Sequence, residues 1–182
     1  MFDRSGNRKY LNSAERRAFL CAATSVGDSS CRAFLLTLFH TGCRISEALN
    51  VVVTRVDLRN SAVTFETLKR RKVGFFRAVP VPDELTVILG ALMADKGPLE
   101  RLWKFSRPTA YRLVKATMRA ARITGGMACP KGLRHGHAVA CVAVNIPLTT
   151  IQKWLGHARV ETTAIYLDAL GEEERELAKR LW

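Results

Sequence analysis

Apolar residues recur at helical spacing along most of the chain, and polar residues stand where helices would begin or end. Asn12, with Glu15 three residues later, forms the pattern of a capping box, and the apolar spacing continues to about Ala23. Asp28 begins a second, almost wholly apolar helix that ends at Gly42. The same spacing predicts later helices over four ranges: 45–50, 83–93, 106–121 and 131–144.

Between residues 51 and 81 the spacing changes to that of strands, and β-branched residues become frequent. Turn signals divide this part into two or three short antiparallel strands, predicted at about 53–56, 62–66 and 76–79. Two prolines end the sheet, and Asp83 is predicted to cap the helix that follows. Ser106 or Thr109 begins the next helix. We therefore expect one mainly α-helical domain with a small antiparallel β-sheet, an α+β fold.

A later stretch, I-Q-K-W-L-G-H-A-R-V-E-T-T-A-I-Y at 151–166, predicts a short helix, a turn and a second helix. Gly156 supplies the permissive backbone that a helix C-terminus favours, which places His157 in the turn. Tyr166 is expected on the second helix. Two side chains that can handle protons and phosphates are therefore predicted on neighbouring elements.

The chain is strongly basic. Twenty-nine Lys and Arg against 16 Asp and Glu give a net charge of +13 and an isoelectric point near 10.2. A folded domain this basic most often meets a polyanion. Nucleic acid is the leading partner, with a solvated basic surface or ribosome association as alternatives. Six cations are the predicted contacts to nucleic-acid phosphates: Arg70, Arg71, Lys72, Arg107, Arg112 and Lys115.

The sequence predicts neither a metal site nor a cofactor. The five cysteines are an odd number, widely separated and without a C-x-x-C pair, which argues against a zinc ribbon or a disulfide framework. His135 and His137, taken singly, are typical of satisfied structural histidines. The N-terminus is too polar for a signal peptide, and no apolar run is long enough to cross a membrane. We therefore expect a cytoplasmic, nucleoid-associated protein.

Four motifs follow one another along the chain. They are T-G-C-R-I-S-E-A-L at 41–49, L-K-R-R-K-V-G-F-F-R-A-V-P-V-P at 68–82, K-G-L-R-H at 131–135, and L-G-H at 155–157 with Tyr166 after it. In this order they resemble the tyrosine recombinase, or phage integrase, family. The resemblance covers about residue 11 to the C-terminus, and it implies the fold of the family's catalytic domain.

The resemblance also implies a role for each residue of a catalytic site. Arg44 and Arg134 match the two catalytic arginines, and Glu47 matches the acidic residue that supports the first. His157 and Tyr166 match the later histidine and the nucleophile.

Three lysines complete the resemblance. The family's hairpin lysine falls on Lys69, with Lys72 as the alternative; we prefer Lys69 because it ends the strand before the turn. Lys131 stands where the family's H-x-x-R motif commonly has histidine, so a lysine occupies the general-base position. With lysine there, His157 becomes the candidate for assisting the proton of Tyr166.

The implied reaction explains these residue types. Attack on phosphorus places extra negative charge on the non-bridging oxygens, and fixed arginine forks stabilise that charge. A tyrosine, with an ordinary pKa of about 10, needs a base or a cationic surround to lose its proton. A lysine supplies a proton to the leaving 5′ oxygen. DNA would be cut through a 3′-phosphotyrosine link that requires neither metal nor ATP.

Residues 1–10 are predicted as an N-terminal extension and 11–182 as the catalytic domain, without room in this chain for the family's N-terminal core-binding domain. The implied partner is double-stranded DNA. The protein is expected to be a monomer in isolation and to form a tetramer on DNA. The last predicted helix carries an apolar stripe that packs on its own domain or on a neighbouring copy: Leu177, Ala178, Leu181 and Trp182. Two alternative functions remain, a degenerate recombinase acting as a DNA-binding accessory factor and a nicking-closing enzyme like the type IB topoisomerases.

Overall fold

Eight helices and a small sheet make up the part of the chain that the computed structural model describes, residues 2–67, 74–167 and 178–181. The first half contains α1 Ser13–Thr24, α2 Ser29–Thr41, α3 Ile45–Leu49, β1 Val56–Asp57, β2 Ala62–Glu66, β3 Phe76–Pro80 and α4 Asp83–Met93. The second half contains α5 Arg107–Ala120, α6 Pro130–Ala143, α7 Leu148–Leu155 and α8 Glu161–Ala164. Single 3-10 turns lie at Val53–Arg55 and Lys179–Leu181. The expected mainly helical fold with a small antiparallel sheet is confirmed.

The helix starts follow the capping signals in the sequence, with one exception. The Asn12 side chain accepts the Glu15 N–H, and the Glu15 carboxylate accepts the Asn12 N–H in return. Ser106, and not Thr109, caps α5. The predicted cap at Asp83 is wrong: α4 already includes this residue, and its carboxylate accepts a hydrogen bond from Ser61 Oγ at 2.7 Å.

The sheet has the order β1-β2-β3 and is antiparallel throughout. The strand predicted at 53–56 is wrong for most of its length, because the N–H groups of Val53 and Thr54 bond to carbonyls of the 98–100 loop. The turn follows at once, since Asp57 Oδ1 accepts hydrogen bonds from the N–H groups of Arg59 and Asn60. Only Val56–Asp57 therefore pairs with β2. Alternation along β3 turns Val79 and, unexpectedly, Arg77 to the buried face.

The core has two parts. The larger surrounds α2, where Phe34 packs edge-on against Trp103 at 5.2 Å between ring centroids, and Trp103 donates a hydrogen bond to the Ala48 carbonyl. The smaller joins the N-terminal segment to α6 and α7, and it includes Tyr10 and Tyr166. The ring of Tyr166 is therefore part of a core rather than of a loose surface segment.

Two predictions concern the end of the chain. The helix expected to carry Tyr166 is shorter than predicted, since α8 ends at Ala164 and Tyr166 follows it in a turn. The last predicted helix begins at residue 172 and lies outside the described residues except for 178–181. Within the described parts of the chain, no helix is both long and apolar enough to cross a membrane.

Candidate active site

Two glycines in left-handed conformation place the site's first arginine and its later histidine. Gly42 ends α2 with φ 59°, and Gly156 ends α7 with φ 67°. A Cβ at Gly42 would lie 2.6 Å from the His137 ring, and one at Gly156 would lie 2.9 Å from the Arg77 guanidinium. Both turns therefore require glycine for conformation and for space. Arg44 and His157 are the side chains that these turns deliver to the site.

Arg44 is held by the buried carboxylate of Glu47, one turn further along α3. Its Nη1 lies 2.7 Å from Glu47 Oε1, and its backbone N–H donates to Oε2 at 2.9 Å. Burial acts to raise the pKa of Glu47, but Arg77 and Arg44 outweigh it and hold that pKa below the ordinary value. Glu47 is thus a fixed anion that orients Arg44. A quarter of the Arg44 side chain stays exposed.

Arg77 is a component of the site that the sequence reasoning missed. Its side chain is 1% exposed, and Nη2 lies 2.6 Å from Glu47 Oε2. It also donates to Thr67 Oγ1 at 2.8 Å and to the Trp154 carbonyl at 2.7 Å. This cation therefore connects the base of the hairpin, the carboxylate behind Arg44, and the end of α7. An arginine at an inward position of a strand is the sequence signal that could have revealed it.

Arg134 is anchored by backbone. From α6 it donates to the Gly42 carbonyl and to the Leu155 carbonyl, both at 2.8 Å, and its Nη2 lies 2.9 Å from His157 Nε2. Burial, with a contribution from Arg44, lowers its pKa to about 10, so the guanidinium remains charged at neutral pH. The two carbonyls end the same two helices whose glycine turns carry Arg44 and His157.

His157 is engaged through both ring nitrogens. Because a guanidinium has only donors, Nε2 accepts from Arg134, and Nδ1–H then donates to Thr163 Oγ1 at 2.9 Å. Burial, Arg134 and Arg44 lower the pKa of His157 to about 3, so the ring is neutral. It stacks on Tyr166 with centroids 6.2 Å apart. These hydrogen bonds position Arg134 and the α8 turn, and neither involves the tyrosine hydroxyl.

Tyr166 forms its hydrogen bond with another histidine. Its hydroxyl lies 2.9 Å from Nδ1 of His135, the residue after Arg134 on α6. The tyrosine is 1% exposed, and burial raises its pKa while Arg134 and Arg44 act to lower it. The interpretation of His135 as purely structural therefore missed a contact to the candidate nucleophile. The interpretation of His137 as a structural histidine fits its burial and the 3.5 Å distance between its Nε2 and Cys141 Sγ.

These groups surround an open cleft of about 490 Å³. Its lining includes the main residues of the site: Arg44, Lys131, Arg134, His135, His157 and Tyr166. Lys131 lies exposed at the cleft, as does Arg107, whose Nε is 3.3 Å from Ser46 Oγ.

The other predicted DNA contacts are placed differently. Arg112 is exposed on α5, and its guanidinium lies 3.4 Å from Thr109 Oγ1. Lys115 is half-buried, and its ammonium donates to the Ala128 carbonyl at 2.8 Å, which ties α5 to the loop before α6. The four hairpin cations lie outside the described residues: Lys69, Arg70, Arg71 and Lys72. Across residues 2–67, 74–167 and 178–181, no group of three or more His, Cys, Asp or Glu side chains could hold a metal ion.

A helical domain whose cleft joins two arginines, two histidines and a tyrosine agrees with the expected family. Residues 9–173 match the model of the Phage integrase family, so the chain belongs to this family, as a tyrosine recombinase catalytic domain. Among its relatives, the tyrosine recombinase of Thermosipho africanus is 30% identical over 149 residues, which cover 79% of this chain and 51% of that protein.

A second relative and two solved structures agree. Tyrosine recombinase XerA of Saccharolobus solfataricus is 33% identical over 129 residues, covering 71% of this chain and 42% of that protein. The chain thus spans about half the length of the curated relatives it matches. A crystal structure of XerA recombinase aligns over 94% of this chain and 64% of its own, with TM-score 0.77 and 28% identity. The catalytic domain of bacteriophage HP1 integrase, 20% identical, shares the fold, with TM-score 0.69 over 95% of both chains.

Proposed function

We propose that this chain cuts and rejoins DNA strands at specific sites through a 3′-phosphotyrosine intermediate. One observation carries the proposal: the cleft joins the candidate nucleophile, Tyr166, to two arginines held in place by other protein groups. Arg134 is held by two carbonyl oxygens and Arg44 by a buried carboxylate. Cations that need not reorganise give the largest stabilisation of charge that develops on a phosphoryl group.

In the proposed cleavage step, Tyr166 Oη attacks phosphorus and the bond from phosphorus to the 5′ oxygen breaks. Arg44 and Arg134 neutralise the charge on the non-bridging oxygens. Lys69, or Lys72 in its place, gives the leaving oxygen its proton. Attack by the 5′ hydroxyl of a second strand on the phosphotyrosine reverses these bonds and joins the strands. The chemistry draws on the chain's own side chains, and we propose that it requires neither metal nor ATP.

The remaining predicted residues take supporting roles in this proposal. His157, neutral and bonded to Arg134, keeps that guanidinium oriented. Lys131, at the cleft, adds positive charge beside the phosphate. Six cations would contact backbone phosphates, which give affinity with little sequence discrimination: Arg70, Arg71, Lys72, Arg107, Arg112 and Lys115.

The proposed partner is double-stranded DNA. A solved XerH recombinase is bound to its difH substrate, and the Tn1549 integrase is in complex with a circular intermediate DNA. We further propose that residues 11–182 act as the catalytic domain after the extension 1–10. Four copies would assemble on DNA from a protein that is monomeric alone, with residues 172–182 of one copy docking on the next.

The test is formation of a covalent adduct without added metal. A pool of nicked suicide duplexes with randomised cores is incubated with the protein, denatured in detergent, and separated on a gel. Wild type is expected to leave DNA attached to protein, and Tyr166→Phe is expected to leave none, because the phenol oxygen is the attacking atom. Sequencing the attached DNA would identify the site.

Two outcomes would count against this function. The first is the absence of any adduct from wild type, and the second is an undiminished adduct from Tyr166→Phe. Relaxation of plasmids that lack the selected sequence, at the rate seen with it, would favour the topoisomerase-like alternative.

A further inference from the structure

We propose that His135 is the group that accepts the proton of Tyr166 when the tyrosine attacks DNA. The inference rests on the proposed function, in which Tyr166 is the nucleophile, and adds a proton acceptor that the family motifs did not assign. It replaces the expectation that His157 assists this proton.

Geometry favours His135 over the two groups expected from the sequence. Its Nδ1 lies 2.9 Å from Tyr166 Oη, within the range in which a hydroxyl passes its proton directly. The bonds of His157 to Arg134 and Thr163 already engage both of its ring nitrogens. Among the described residues, the hydrogen bond of the Tyr166 hydroxyl goes to His135 and not to Lys131.

The helix that carries His135 is closely packed. His135 is adjacent to Arg134 on α6, so one helix positions both the proton acceptor and one phosphate-binding arginine. Two glycines let this helix approach its neighbours closely: a Cβ on Gly136 would meet the Leu11 carbonyl at 2.8 Å, and one on Gly132 would collide with the Met127 carbonyl. Such positioning is what proton transfer in a transition state requires.

The charges around His135 determine when it can act. The groups that influence it are Lys9, Lys131, Arg134, His157 and Tyr166. Burial, Lys131 and Arg134 lower the pKa of His135 to about 4, so in the free protein the ring is neutral. In the tautomer with its proton on Nε2, Nδ1 has a lone pair that accepts the hydroxyl proton. A DNA phosphate held by Arg44 and Arg134 adds negative charge beside it. That charge favours the imidazolium and so strengthens the base when substrate is present.

The proposed step balances. The O–H bond of Tyr166 breaks as an N–H bond forms at His135 Nδ1, and the phenol oxygen bonds to phosphorus. The 5′ oxygen leaves with its electron pair and takes a proton from the hairpin lysine. In rejoining, the phenol oxygen becomes the leaving group and the imidazolium returns its proton to it.

The deciding variant is His135→Gln, because an amide oxygen can accept the hydrogen bond of Tyr166 but cannot take its proton. Single-turnover adduct formation on the selected suicide duplex is followed from pH 4 to 9. Because bound phosphate raises the pKa of His135 above its value of about 4 in the free protein, wild-type rates should rise with pH through the acidic part of this range and then level. The variant should be slower by roughly 100-fold or more at neutral pH, without that plateau, since water must then take the proton. His40→Gln, a half-buried histidine outside the cleft, serves as the matched control.

A sulfur substitution separates the two proton transfers. A duplex with a 5′-bridging phosphorothiolate has a leaving group that needs no proton, so it should rescue Lys69→Ala or Lys72→Ala and leave His135→Gln slow. Rescue of His135→Gln would overturn the proposal. A wild-type rate for His135→Gln would mean that the contact only positions the tyrosine. A faster rate would mean that the contact holds the tyrosine back from attack. Either result overturns the proposal.

A measurement on the free protein completes the test. Nitrogen NMR of labelled histidine should show His135 Nδ1 without a proton, and its resonance should shift in Tyr166→Phe, which lacks the donor. A protonated Nδ1 would contradict the proposal even if the variants fold poorly. Failure of wild type to form any adduct, by contrast, removes the proposed function itself, so the two failures can be told apart.

Discussion

At the scale of single residues, the site depends on how each cation is held. Arg44 and Arg77 share the one buried carboxylate of Glu47, through Oε1 and Oε2. Removing one member of such a network leaves a buried charge without its partner, which costs more than the pair contributes when intact. Arg77 is proposed to act by positioning Arg44 and the end of α7, without contacting the phosphate.

We therefore expect Arg77→Lys to slow adduct formation about tenfold or more and to lower the free energy of unfolding by about 1–3 kcal/mol. A lysine keeps the charge but cannot bond Glu47, Thr67 and the Trp154 carbonyl together. Adduct rates at saturating DNA and urea unfolding measure the two effects. Arg55→Lys is the control, since that half-buried arginine stacks on Phe76 outside this network. A DNA affinity that falls while the saturated rate is unchanged would argue against positioning.

At the scale of elements, α6 carries Arg134 and His135, and its distance from the loop before it is set by Gly132. No side chain fits at this position, because a Cβ would overlap the Met127 carbonyl, and backbone cannot rotate away as a side chain can. The placement of Arg134 and His135 thus depends on the absence of a side chain at Gly132, near the start of the helix.

Gly132→Ala is expected to lower the free energy of unfolding by about 1–3 kcal/mol, the usual cost of overpacking. Gly126→Ala in the same loop is the matched control, because a Cβ there meets nothing within 4 Å. Gly126→Ala should leave the free energy of unfolding unchanged or raise it by up to about 1 kcal/mol, because alanine lowers the conformational entropy of the unfolded chain. Urea unfolding of both variants is the measurement. Equal stabilities would show that the loop adjusts freely and that Gly132 does not set the position of α6.

At the scale of the whole molecule, the net charge of +13 and the cleft define a surface suited to a polyanion. Charge gives affinity for any duplex, and the proposed phosphate contacts come from this one domain. The specificity of a recombinase requires side chains that read base edges, and the charge of the domain does not provide them.

For the 182-residue chain alone we expect a Kd for duplex DNA on the order of micromolar at physiological salt, weakening steeply as salt rises. Fluorescence anisotropy across a salt series checks this, and Arg107→Gln should reduce the salt slope by about one contact. Sedimentation with and without DNA checks assembly, with a monomer expected in its absence. Nanomolar, sequence-specific binding by this chain, or a tetramer without DNA, would contradict these expectations.

Much of this protein follows from local sequence signals. The capping box at Asn12, the glycines that end α2 and α7, and the alternation of β2 and β3 each involve neighbouring residues, so the chain predicts them without knowledge of packing. The positions of Arg44 and His157 just after two of these glycines follow in the same way, whereas the helix predicted to carry Tyr166 ends at Ala164. These signals predict the fold class, and the order of the four motifs, through its resemblance to the tyrosine recombinases, indicates the family.

Only the tertiary structure decided which of these side chains touch. The bond between His135 and Tyr166 joins residues 31 positions apart, and that between Arg77 and Glu47 joins residues 30 apart. Neither spacing has a periodic or motif signal, because the contact depends on how α6, α8 and the sheet pack. The shortness of β1 has the same cause. The N–H groups of Val53 and Thr54, before the strand, bond to carbonyls in a loop more than 40 residues later in the chain. Local preference predicts elements, whereas hydrogen-bond partners are chosen by the whole fold.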